Sequence, residues 1–298
     1  IDQTTGALTS VGTTAAGSRP YGVACDPTGK FVYVANSNSI SGNTVQAYTI
    51  NQTTGALTSV GTTAAATQPQ FIACDPTGKF VYVTTNSGYT VLSYTINQTT
   101  GALTSFGTTA TGTSPRGVAC DPTGKFVYLT NYSSNTVQAY TINQTTGALT
   151  SVGTTATGTN PWNVACDPTG KFVYVTNYSS NTVQAYTINQ TTGALTSVGT
   201  TAAGSNPYGV ACDPTGKFVY VANFSGSSVS AYTINQTTGA LTSVGTTATG
   251  ANPSGVACDP TGKFVYVTNS GSNTVSAYTI NQTTGALTSV GAAIPTAG

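Results

Sequence analysis

The hexapeptide CDPTGK recurs at Cys25, Cys74, Cys120, Cys166, Cys212 and Cys258, at intervals of 49, 46, 46, 46 and 46 residues. A second motif, I-[DN]-Q-T-T-G-A-L-T-S, begins at Ile1, Ile50, Ile96, Ile142, Ile188, Ile234 and Ile280. Self-similarity at this period means that each repeat is one supersecondary unit, and that neighbouring units bury one another's apolar faces. The longer first interval comes from SNSISG, which fills a loop where later repeats have YSS or SGS. Six complete units and one surplus half-unit make up the chain.

The unit from Pro161 to about Thr201 shows what each repeat can form. PWNVAC is short and apolar. DPTG carries Asp, Pro and Gly where a type I turn prefers them. KFVYVTN is apolar on both alternating faces, which predicts a strand covered on both sides. After the loop YSSN, TVQAYTI is β-branched and aromatic, with an alternation of two. NQTTG is a second turn, with Gly free to take positive φ. ALTSVGTT is a more polar strand. The pattern predicts an all-β, six-bladed β-propeller of four-stranded antiparallel blades, with a surplus terminal half-repeat. A β-solenoid is the alternative, but its coils are usually shorter. Seven blades would need a second chain, because a seventh inner strand is missing.

Composition narrows the partners. Only 5% of the 298 residues are charged and the net charge is +1, so no basic patch for nucleic acid is expected. Apolar runs end after four to six residues, so no membrane span is expected. The hydrophobic 38% is regularly placed, as in a folded chain. The chain begins at Ile1 and contains no Met, as a processed product or a fragment would. A single domain over 1–298 is expected, with 1–14 as an outer-strand half-repeat and 291–298 as a tail or linker.

PTGKFVYVTNYSSNTVQAYTINQTTGALT resembles the YVTN β-propeller repeats. It is also similar to the lactonase-type propellers, which include 6-phosphogluconolactonase and carboxymuconate-cyclising enzymes. The resemblance covers essentially the whole chain and implies the propeller fold, commonly with seven blades where this chain offers six. It also implies His, Glu and Arg side chains at the centre of the ring. This chain has no His and no Glu, so the fold carries over and no catalytic residue does.

The remaining chemical candidates have simpler roles. Apart from Asp2, every acidic residue is the Asp of a DPTGK turn, and apart from Arg19 and Arg116 every basic residue is its Lys. Each Asp is expected to accept N–H groups of its own turn. One Asp per blade beside a Lys makes a poor cation site, so no metal and no cofactor is expected. The six Cys share one place in each repeat, too far apart for disulfides, and are read as small buried hydrophobes. The NQT triplets at Asn51, Asn97, Asn143, Asn189, Asn235 and Asn281 match the glycosylation sequon, as do Asn131, Asn177 and Asn223. NQTTG is equally explained as a turn.

Two segments do vary. Around the inner-strand Pro the units read RPYG, QPQF, SPRG, NPWN, NPYG and NPSG, and the loop between the second and third strands varies as well. In a propeller both lie on one face. Tyr21, Gln70, Phe71, Arg116, Trp162, Asn163 and Tyr208 would share the channel mouth there. Aromatics beside amides and Arg suit a glycan or a peptide. Drift of free loop positions after duplication explains the same letters.

The half-units at the two ends offer Ala7–Val11 and Ala286–Val290 for one outermost-strand vacancy. The copy left over is free to pair with another molecule, which would be self-association by strand addition. The sequence therefore predicts a non-enzymatic extracellular or cell-surface module with a structural or interaction role, filament-forming where the surplus terminal strand pairs with a neighbour. The alternatives are lectin-like glycan or peptide binding at the channel mouth and, third, a lactonase-type hydrolase.

Overall fold

The structure is a computed structural model and describes residues 1–37 and 42–296. Most of SNSISG, and the last two residues of the tail, lie outside the described residues. Six antiparallel sheets run in chain order. The first is β1 (Pro20–Cys25), β2 (Phe31–Asn36), β3 (Thr44–Ile50) and β4 (Leu57–Ala64). The second is β5 (Pro69–Cys74), β6 (Phe80–Thr85), β7 (Thr90–Ile96) and β8 (Leu103–Ala110), and the third is β9 (Pro115–Cys120), β10 (Phe126–Asn131), β11 (Thr136–Ile142) and β12 (Leu149–Ala156). The fourth is β13 (Pro161–Cys166), β14 (Phe172–Asn177), β15 (Thr182–Ile188) and β16 (Leu195–Ala202), and the fifth is β17 (Pro207–Cys212), β18 (Phe218–Asn223), β19 (Ser228–Ile234) and β20 (Leu241–Ala248). The last is β21 (Pro253–Cys258), β22 (Phe264–Asn269), β23 (Thr274–Ile280) and β24 (Leu287–Ser289), with β25 (Ile294–Pro295) also paired to β23. Each sheet is a meander, its strands paired in sequence order. This is the all-β, six-bladed propeller fold that the repeat predicts.

The chain falls into two compact units. One holds 11–156 and 191–194, with the first three sheets; the other holds 1–10, 157–190 and 195–298, with the last three. In each, sheets pack face to face through side chains of the sandwiched second strand. In the first-sheet unit, Phe31, Tyr33, Ala35 and Val45 of one sheet meet Ile72, Val81, Val83 and Tyr94 of the next. In the other, Phe218, Tyr220 and Val229 meet Val265, Val267 and Tyr278 in the same way.

The invariant letters form one hydrogen-bonded frame. In the DPTGK turn of the fourth sheet, Asp167 Oδ1 accepts from Phe172 N at 2.6 Å, and Oδ2 accepts from Thr169 N at 3.0 Å and from the Thr169 hydroxyl. Gly170 N closes the turn on Asp167 O at 3.0 Å, with Gly170 at φ 72°. The Asp of every such turn is buried, and its oxygens are spent on its own turn. In NQTTG, Asn143 Oδ1 accepts from Thr145 N and Thr146 N. The adjacent Gln144 reaches across the sheet, its Nε2 donating to Gly124 O at 2.7 Å. The two repeated motifs are thus bonded to each other within a blade.

Tyrosines join one blade to the next. Tyr82 Oη donates to Gly147 O at 2.8 Å, and Tyr174 Oη to Gly239 O at 3.0 Å. In each case the acceptor is the Gly of the following sheet's NQTTG. A Cβ on Gly239 would lie 2.4 Å from the Phe172 ring, and its φ is +78°, so only Gly allows this approach. A second set runs the other way: Tyr140 Oη donates to Ala110 O at 2.7 Å and Tyr278 Oη to Ala248 O at 2.7 Å. Buried phenols need such acceptors.

The ends answer which half-repeat completes a sheet. Leu287–Ser289 pairs with β23 and fills the outer place of the last sheet. Ile1–Thr14 contains no strand. Within 291–298, read from sequence as a tail or linker, Ile294 and Pro295 pair with Val275 and Thr274. Burial by chain atoms also settles some sequons: Asn131, Asn177 and Asn223 are fully buried, which leaves no room for a glycan there.

Burial pushes these phenols up; Tyr94 rises from 10.0 to about 12. A raised acid favours the fold while protonated. That stabilisation is complete below pH 10 and is lost as pH climbs through about 12. Absorbance titration should therefore show surface tyrosines ionising first. The rest should ionise together with loss of the β-sheet circular dichroism signal. Full ionisation near pH 10 with the sheets intact would contradict the buried frame.

Candidate functional site

The first residues after each inner-strand Pro stand at a bulge. Pro161 pairs with Asn177 and Val164 with Val175, and the register shifts between them. That bulge frees Trp162 and Asn163 from the ladder. The loop between second and third strands returns to the same place, with Tyr178 N donating to Asn160 O and Tyr132 N to Ser114 O, both at 3.0 Å. The two variable segments therefore meet in each of these repeats, as expected from the sequence.

In the first-sheet unit two pairs form. Arg116 Nη1 donates to Gln70 Oε1 at 2.7 Å, and its guanidinium lies 5.3 Å from the centre of the Tyr132 ring. Gln70 is buried and Arg116 half-buried. Tyr21 and Phe71 meet edge to face, with centroids 5.8 Å apart; Tyr21 is exposed. Thr84 braces the backbone beneath: its Oγ1 accepts from Phe71 N at 3.2 Å and donates to Arg116 O at 2.6 Å. A cation is thus fixed at the start of an inner strand by an amide oxygen and an aromatic face.

In the other unit the cluster is aromatic. Trp162 lies 4.0 Å from Tyr208 and 5.4 Å from Tyr178, and Tyr208 stacks on Phe224 at 5.2 Å. Trp162 is buried, so its large face packs against neighbours. Asn163 turns back on its own strand, its Oδ1 accepting from Val164 N at 2.8 Å. Thr176 plays the part of Thr84, its Oγ1 accepting from Asn163 N at 3.1 Å and donating to Tyr208 O at 2.8 Å. The seven positions named from the sequence therefore form two groups, one in each unit.

Tyr132, Tyr178 and Phe224 are the contributors that the sequence reading left out. Their signal was present: an aromatic opens this loop only in the repeats that carry Arg116, Trp162 and Tyr208, whereas Ser37, Asn86 and Ser270 open it elsewhere. All six Cys are unbridged, but Cys25 is exposed and the other five are half-buried, so they are not the small buried hydrophobes expected from the sequence: the end of each inner strand stays partly open. Burial pushes the Cys74, Cys120, Cys212 and Cys258 thiols up, which disfavours their thiolates.

In each unit the variable side chains stand at the start of the inner strands of four-stranded propeller blades. The model of the lactonase, 7-bladed beta-propeller family matches residues 1–74, 71–165, 149–212 and 209–298, and the chain belongs to that family. Solved structures share the fold. A candidate 6-phosphogluconolactonase from Bacteroides fragilis is 24% identical, with 95% of this chain and 86% of that one covered at a TM-score of 0.86. The periplasmic gluconolactonase of Pseudomonas aeruginosa is 17% identical, with 99% and 91% covered at 0.87. Hydrazine synthase of Kuenenia stuttgartiensis is 18% identical, with 98% and 90% covered at 0.71. No curated protein sequence matches the chain.

Family membership corrects the functional expectation. A non-enzymatic structural, filament-forming or glycan-binding module on the cell surface is overturned by the lactonase match along the whole chain. The exclusion of an enzyme rested on missing His and Glu, which removes one kind of general base. It does not remove electrostatic catalysis by a fixed cation.

Trp162 is the only Trp and reports on its own cluster. Its fluorescence emission should be that of a shielded indole, and Tyr208→Ala should move it to the red. Unchanged emission in that variant would contradict the stacking.

Proposed function

We propose that this protein hydrolyses the ring ester of a sugar lactone, and that Arg116 is the residue on which the reaction turns. The observation that carries this reading is the Arg116 guanidinium, held by Gln70 Oε1 at 2.7 Å and faced by the Tyr132 ring. The lactone carbonyl oxygen accepts from the guanidinium. Water adds to the carbonyl carbon and releases one proton to solvent, and the negative charge that develops on the carbonyl oxygen is stabilised by a cation already in position. The tetrahedral intermediate collapses, the ring C–O bond breaks, and the leaving alkoxide takes a proton from solvent to give the hydroxy acid. The edge-to-face pair Tyr21–Phe71 supplies an apolar wall for the face of a sugar ring. The buried Asp oxygens are occupied by their own turns, so no base from the repeated motif takes part.

The class of substrate is supported by the family and by the likeness to a periplasmic gluconolactonase. An extracellular or cell-surface location is expected from the sequence for a structural module. With that role set aside, a place outside the cytoplasm rests on the same likeness and belongs to this proposal.

Hydrolysis of glucono-δ-lactone, corrected for the spontaneous reaction, is the test. Arg116→Gln should lower kcat/KM by about 10²-fold or more while leaving the circular dichroism spectrum unchanged. Arg116→Lys should recover part of the loss, because it keeps the charge without the planar fork. Wild-type turnover in Arg116→Gln would overturn the proposal.

A further inference from the structure

Neighbouring inner strands are joined in two ways. In the first, they close directly on each other. Gly22 is the third residue of β1, and a Cβ there would lie 2.5 Å from Gln70 O and 2.9 Å from Phe71 Cα of β5. Gly209, third in β17, would likewise meet Ser254 O of β21 at 2.9 Å. In both sheets the fifth residue of the second strand is Ala: Ala35 in β2 and Ala222 in β18. No hydroxyl stands at that place, and the four strands pair without one.

In the second way, a hydroxyl spans the gap. Phe71 is third in β5 and carries the Cβ that Gly22 and Gly209 lack, so β5 cannot approach β9 as β1 approaches β5. The fifth residue of β6 is Thr84, and its side chain is fully buried. Its Oγ1 accepts from Phe71 N at 3.2 Å and donates to Arg116 O at 2.6 Å. The other unit shows the same combination, with the Thr176 hydroxyl between Asn163 N and Tyr208 O. Across the six repeats, a side chain at the third inner-strand place occurs only where the second strand supplies Thr, as Phe71 with Thr84 and Asn163 with Thr176.

We infer that, given the role of Arg116 in hydrolysis on which this rests, Thr84 is a positioning residue of the reaction: its hydroxyl sets the gap between the strand of Gln70 and Phe71 and the strand of Arg116. The fold does not require that hydroxyl, since the sheets of Ala35 and Ala222 form without it, but the site does. Phe71 supplies the apolar wall and holds the gap open, and across that gap Arg116 Nη1 must reach Gln70 Oε1 at 2.7 Å. One hydroxyl grips the amide of the wall residue and the carbonyl of the cation residue, so wall, amide oxygen and guanidinium keep a single spacing. Being fully buried, Thr84 cannot touch the lactone and acts through Arg116. A shift of about 1 Å in a group so placed can cost about 10²-fold in rate.

The test compares Thr84→Val, which keeps the shape and removes the hydroxyl, with Thr84→Ser, which keeps the hydroxyl, and with Thr84→Ala, the letter that β2 and β18 already carry. Two quantities are read on the whole chain. The first is glucono-δ-lactone hydrolysis: Thr84→Val and Thr84→Ala should lower kcat about tenfold at unchanged KM, and Thr84→Ser should restore most of it. The second needs no turnover. Arg19 and Arg116 are the only Arg, so isotope-labelled arginine gives two side-chain N–H signals, and the one lost in Arg116→Gln belongs to Arg116. Hydrogen exchange at that signal should be about tenfold faster in Thr84→Val than in the wild type, and close to wild type in Thr84→Ser. Unchanged exchange in Thr84→Val overturns the inference, as does faster exchange with kcat unchanged, or a loss in Thr84→Ser as large as in Thr84→Val. A wild type that hydrolyses no lactone overturns instead the reaction proposed for Arg116, while the exchange result still decides whether Thr84 positions the guanidinium.

Discussion

Everything in this protein is hung on a buried carboxylate. In each DPTGK turn the Asp accepts from the Phe amide that begins the second strand, as Asp213 Oδ1 does from Phe218 N at 2.6 Å. Burying a charge is costly unless hydrogen bonds compensate it; here N–H groups and a hydroxyl converge on both oxygens. That fixes where the sandwiched strand starts. The Gln of NQTTG then ties the second turn to the first, Gln236 Nε2 donating to Gly216 O at 2.8 Å. The Gly of that second turn accepts from the Tyr of the preceding sheet, as Gly285 does from Tyr220. Asp, Gln, Gly and Tyr form a continuous series of bonds from one blade to the next, and no member can change alone. This explains in physical terms why those letters repeat without variation.

The other side of each sheet is under a looser constraint. A bulge after the inner-strand Pro releases two residues from the ladder, and Thr84 and Thr176 hold the backbone there through main-chain atoms only. The side chains above them can therefore differ between repeats without disturbing the frame. One repeat places Arg116 against Gln70, and others place Trp162 and Tyr208 in an aromatic stack. Chemistry is varied where the fold tolerates variation.

The fold was largely readable from the sequence because its causes are local. DPTG, NQTTG and the apolar run FVYV each act within a few residues, and the period places them on strands. Bonds that span the sheets were not readable: the Tyr174 hydroxyl finds its acceptor 65 residues away, and nothing in either motif names the other as a partner. The site was partly readable. Arg116, Gln70 and Trp162 stood out as letters that change, but Tyr132, Tyr178 and Phe224 emerged only when the loop aromatic was seen to track the inner-strand residue. The function was misjudged because an absence of His and Glu was taken as an absence of chemistry. A fixed guanidinium leaves no such compositional mark. The surplus half-repeat was visible as seven motifs against six, but which copy completes the last sheet is set by the pairing of Leu287–Ser289 with Thr274–Ile280, which the identical motifs could not decide.

The central claim is that repeated letters carry the fold and unrepeated ones carry the reaction. It is tested most directly by giving the first-sheet unit the letters of the last repeat, PSG, through Gln70→Ser, Phe71→Gly and Arg116→Ser in one chain. Far-ultraviolet circular dichroism and lactone turnover are then measured on the same sample. The account predicts an intact β-sheet spectrum with cooperative melting, and turnover no faster than the spontaneous reaction. Turnover at the wild-type rate in that folded variant would contradict it.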